Sequence, residues 1–94
     1  MPGKNLDYDL CEKIAAKYDF LEPDYYYPML HSMLYRNDDE HGDGPSINIF
    51  TDEDDILHLS YVKNSDTLPV GIARGTVEEI EAHVNRLILE GKMN

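Results

Sequence analysis

The sequence predicts a small α+β domain, ordered α-α-β-β-(β)-α, with an antiparallel hairpin packed against helices. Three observations carry this. Leu6, Leu10, Ile14 and Tyr18 recur at four-residue spacing near the start of the chain. Leu57, Leu59 and Tyr61 alternate with other residues, shortly after the run Ile47-Asn48-Ile49-Phe50. Near the end, Thr76-x-x-Glu79 precedes an apolar stripe of Val77, Ile80, Val84, Leu87 and Ile88. The 94 residues suit a single domain over 1–94, with no internal repeat and no room for two cores.

The elements follow in chain order. Residues 6–20 read as a helix, with Asn5 as a cap and Asp7 and Asp9 in the first turn, where the helix dipole favours anions. Glu22-Pro23-Asp24 reads as a break, and an irregular turn is expected over 22–27. A second helix is expected from Pro28 to Arg36, because proline is tolerated in a first turn but not deep inside. Its inward residues would be Leu30, Met33 and Leu34. Residues 37–46 form a polar loop by every local signal. Ile47 to Phe50 and Ile56 to Val62 read as paired strands, joined by a tip over 51–55. Leu68 to Ala73 reads as a third strand that Pro69 would confine to an edge. The final helix is closed by Gly91.

Charge is the outstanding bulk property. Nineteen acids stand against eight bases, for a net charge of −11. Such a chain repels nucleic acid and anionic membrane directly and favours a basic protein partner. No apolar run reaches the length of a membrane span. The lone Cys11 allows no internal disulfide, and the first residues carry no apolar leader, so a cytoplasmic location is expected.

The acids are unevenly placed. Between Lys17 and Lys63 there are eleven acids and one base, Arg36. The outer acids mostly open the two helices and offset their dipoles. The central ones sit in loops with no such role, and Asp52 to Asp55 repel one another within one tip. Tyr25, Tyr26 and Tyr27 are consecutive, so no regular element buries all three. Tyrosines beside carboxylates suit an arginine-rich or lysine-rich surface, through ion pairing and cation–π contact. The expected partner-binding residues are therefore Glu22, Asp24, Tyr25, Tyr26, Tyr27, Asp38, Asp39, Glu40, Asp43, Asp52, Glu53, Asp54 and Asp55.

Other chemistry is weakly signalled. Asn37-x-Asp39-x-His41-Gly42 resembles the start of a calcium-binding EF-hand loop, but its twelfth position is Asn48 instead of the required glutamate. His31, His41, His58 and His83 have no zinc-site spacing with Cys11. Cys11 lies on the apolar stripe, where a thiol is inert. No glycine loop precedes a helix start to cradle phosphate. No cofactor, no metal and no catalytic set is expected.

In size, acidity and α+β pattern the chain resembles small acidic inhibitors: phage-encoded DNA mimics that block restriction or CRISPR effectors, and immunity proteins of nuclease toxins. Asp24-Tyr25-Tyr26-Tyr27-Pro28 is similar to the acid-then-Tyr-Tyr-Pro segment of colicin DNase immunity proteins, whose tyrosines meet the toxin. Those proteins are all-helical, unlike the hairpin expected here. The resemblance implies a non-catalytic inhibitor that occupies the nucleic-acid-binding surface of a basic partner. Two alternatives stand beside it. One is a small homo-oligomeric accessory protein, acidic for solubility, with Tyr25 to Tyr27 and the final helix in a self-interface. The other is a weak calcium-binding module.

Overall fold

The computed structural model of the protein describes residues 6–26 and 31–94. Helix α1 (Leu6–Lys17) leads into five strands, β1 (Leu21–Tyr26), β2 (His31–Arg36), β3 (Ser46–Thr51), β4 (Leu57–Val62) and β5 (Val70–Gly75), and helix α2 (Val77–Leu89) follows. The strands form one antiparallel sheet in sequence order, β1-β2-β3-β4-β5. The α+β class is as expected, but the element order is α-β-β-β-β-β-α.

The difference lies in one segment. In place of a turn over 22–27 and a helix ending at Arg36, the chain makes β1 and β2, paired from Leu21↔Arg36 to Tyr26↔His31. The part of that expected helix at Pro28 to Leu30, like the expected cap Asn5, lies outside the described residues. Strand geometry wins for two reasons. Ser32 and Leu34 are fully buried while His31, Met33 and Tyr35 point to the other face, which is a period of two. Pro23 sits on an edge strand, where a missing N–H costs no ladder bond.

Both helices lie on one face of the sheet. Leu10, Cys11 and Ile14 of α1 and Ile80, Val84 and Leu87 of α2 join Leu21, Leu34, Ile47, Ile49, Leu57 and Leu59 in one cluster. Buried aliphatics of this kind lose about 2–5 kcal/mol on truncation to alanine, so this cluster sets the rigidity of the opposite face. A polar clasp lies within it. Asp7, only 3% exposed, accepts hydrogen bonds from Ser32 Oγ at 2.5 Å and Thr51 Oγ1 at 2.7 Å. It thereby ties the first turn of α1 to β2 and β3. Cys11 is fully buried beside it, and burial first, then the Asp7 charge, push its thiol pKa far up.

The final helix begins as the sequence predicts. Thr76 accepts from the Glu79 N–H, and the Glu79 carboxylate accepts from the Thr76 N–H. Gly91 takes φ +77 after the helix, a conformation that a Cβ would strain. The chain then returns to the sheet, where Arg36 donates to the Met93 carbonyl and Tyr61 to the Lys92 carbonyl. Among the described residues no helix is long and apolar enough to cross a membrane.

Candidate partner-binding site

With both helices on one face, neither described helix covers the other face of the sheet. Strand alternation decides which residues it displays. From β1 come Glu22, Asp24 and Tyr26, and from β2 His31, Met33 and Tyr35. From β3 come Ser46, Asn48 and Phe50, and from β4 His58 and Ser60. Tyr26 is 39% exposed and Phe50 42%, large values for aromatic groups on a sheet.

One row crosses all five strands. Tyr26 and His31 are cross-strand partners with ring centroids 5.3 Å apart. Ser32 opposes Ile49, so the next positions along, His31 and Phe50, are neighbours. Phe50 and His58 stack in parallel at 4.5 Å. Arg74 of β5 closes the row opposite His58.

The expected binding residues divide into three groups. The first surrounds a groove of about 340 Å³ lined by Asp24, Tyr26, Met33, Tyr35, Asp39, Gly42, Gly44, Pro45 and Ser46. Glu22 borders it, accepting a 2.7 Å hydrogen bond from Tyr35 Oη. That bond, with burial second, pushes the Tyr35 phenol up to about 12. Asp38, Glu40 and Asp43 lie in the loop over 37–45 that forms one wall. Asp39 holds this loop by accepting from the N–H groups of Asp43 and Gly44. Asp38 accepts from Nε and Nη2 of the Arg36 guanidinium, both at 2.9 Å, which lowers its pKa.

The second group is the tip, Asp52, Glu53, Asp54 and Asp55. The loop over 37–45 joins β2 to β3, whereas the tip joins β3 to β4, so the two lie at opposite ends of the sheet. One six-residue strand separates them, roughly 17 Å of extended chain. The expected acidic segment is therefore not one patch. The third group leaves the face altogether. Tyr25 points to the helix side, with its ring edge-on to Tyr8 of α1 at 6.1 Å. Tyr27 lies outside the described residues.

A further expectation is corrected here. Local signals leave the central acids without a structural role, yet several have one. Asp52 accepts from the N–H groups of Asp54 and Ile56 and pairs with His58 Nε2 at 2.8 Å. The His58 contact, then the backbone bonds, lowers the Asp52 pKa. Asp38 and Asp39 are likewise engaged. Glu40, Asp43, Glu53, Asp54 and Asp55 are exposed, and their carboxylates make no hydrogen bond among the described residues.

Sequence reasoning misses Met33, Tyr35, His31, Phe50, His58 and Arg74 as surface partners. The alternation of 31, 33 and 35 with 32 and 34 is the available signal, hidden by the helix expected there. Among the described residues no group of three or more His, Cys, Asp or Glu side chains could hold a metal ion. No family model, no curated protein and no solved structure matches this chain.

Proposed function

We propose that this chain is a non-catalytic binding protein that docks on a basic surface of another protein, of the kind that ordinarily contacts nucleic acid. The contact would use the uncovered sheet face and the loop over 37–45. One observation carries this reading: a groove places Asp24 and Asp39 around Tyr26, Tyr35 and Met33. Carboxylates supply charge for arginine or lysine, and the exposed rings supply contact area at low entropic cost. The net charge of −11 steers such a partner inward from a distance.

The test is titration with a labelled arginine-rich peptide and a lysine-rich peptide of equal length, at low and at physiological salt. Binding that weakens with salt and with Glu22→Gln and Asp24→Asn is expected. Absence of binding at low salt overturns the proposal.

A second reading is a homo-oligomeric accessory protein. It is favoured by the exposed apolar residues Leu68, Val70 and Ile72 on or beside the β5 edge. Against it stands the irregular register of β5 opposite Leu59 and Ser60, a device that turns a free edge away from pairing. Sedimentation separates the two readings, since a tight dimer would favour the second.

A further inference from the structure

A second cavity, of about 430 Å³, opens on the uncovered face beside the groove and is lined by His31, Asn48, Phe50, Ser60 and Pro69. Asn48 and Ser60 are cross-strand partners on β3 and β4. Their amide and hydroxyl groups make no side-chain hydrogen bond among the described residues, so both present unused acceptors into the same space. Phe50 adds an aromatic wall, held by its stacking on His58. Among the described residues no carboxylate lines the cavity.

We infer that this cavity receives an arginine side chain of the basic partner, in preference to a lysine. The inference rests on the function proposed above and names the group that the partner inserts. Three features select the guanidinium. The protein's negative charge favours a cationic occupant. Two neutral acceptors on adjacent strands, about 5 Å apart, match a planar fork with five N–H donors. An aromatic wall attracts a flat, weakly hydrated cation. A lysine ammonium is a strongly hydrated point charge, and with no carboxylate in the lining it loses more on leaving water. The acidic groove alongside holds the rest of the basic segment, where arginine and lysine serve alike.

The same arginine-rich and lysine-rich peptides separate the cavity from the groove. The arginine peptide is expected to bind about tenfold tighter than the lysine peptide. Phe50→Leu, and separately the double change Asn48→Ala with Ser60→Ala, should reduce that preference, read as the ratio of the two affinities, to within about twofold. Asp24→Asn should weaken both peptides by the same factor. All these side chains lie on the uncovered face, and unchanged melting temperatures would show that the variants fold. Equal binding of the two peptides by the parent chain overturns the arginine site and leaves the acidic reading intact. An arginine preference that survives Phe50→Leu and the double variant also overturns it. Failure of both peptides to bind overturns both.

Discussion

The loop over 37–45 and the tip over 52–56 each carry four acids, yet they behave as different kinds of structure. The tip is organised around one carboxylate: Asp52 accepts two backbone N–H groups and pairs with His58. Its other three acids point to water at the end of the sheet. The longer loop instead borders a groove with Tyr26, Tyr35 and Met33 on its floor and walls. Local charge density is similar in both. What separates them is that the longer loop lines a groove together with Tyr26 and Tyr35, whereas the tip meets its aromatic neighbour, Phe50, only through the His58 ring that Asp52 holds. Acidity by itself therefore identifies neither as a site.

The largest effect should come from neutralising each region in turn. Glu22→Gln, Asp24→Asn, Glu40→Gln and Asp43→Asn together should weaken a basic peptide about tenfold or more at low salt, with a flatter salt dependence. Glu53→Gln, Asp54→Asn and Asp55→Asn together should change affinity less than about threefold. Equal losses from the two sets, measured by anisotropy, would erase the distinction.

Asp52→Ala sharpens it from the other side. Loss of the carboxylate strands two backbone donors and the His58 contact, so the melting temperature should fall by several degrees, while affinity for the lysine-rich peptide changes less than about threefold. A variant that melts like the parent would show that the tip does not depend on Asp52.

Acid sensitivity should follow the same carboxylate. The pKa of Asp52 is lowered in the folded state by His58 and by backbone bonds. Its contribution is then fully present above the ordinary carboxylate pKa of about 3.9. It disappears as pH falls through the lower folded value. Denaturant melts from neutral pH down to about pH 2 should show Asp52→Asn with a flatter acid limb than the parent. Parallel limbs would contradict the assignment.

The smallest effect concerns the backbone of the tip. Asp55 has φ +61, a left-handed conformation that aspartate tolerates and alanine does not. Asp55→Ala should destabilise by about 1 kcal/mol, and Asp55→Gly by no more than a few tenths. Similar melts for the two would mean that the tip relaxes out of this conformation.

Several elements are legible in the order of residues alone. The capping box at Thr76 and Glu79, the stripe from Ile80 to Leu87 and the four-residue recurrence from Leu6 are local signals, and local hydrogen bonds and periodicity decide them. The pairing of Ile47 to Phe50 with Ile56 to Val62 is legible for the same reason. Residues 22–36 are not. Pro23 and Pro28 favour turns or helix starts locally, and the alternation that marks β2 as a strand is only six residues long. Its burial depends on β1 and β3 on either side and on the clasp between Ser32 and Asp7 across 25 residues. That is tertiary context overriding local preference.

The candidate site divides along the same line. The sequence by itself determined the charge, its concentration between Lys17 and Lys63, and the need for at least one tyrosine to face outward. Those properties depend only on residue type and on the period of the chain. Only the tertiary structure decided that the two acidic loops lie at opposite ends of the sheet, because strand direction sets the end to which each loop belongs. It also decided that Tyr26 joins the groove while Tyr25 turns toward α1. Neighbouring strand residues point to opposite faces, and which face stays uncovered depends on where both helices pack.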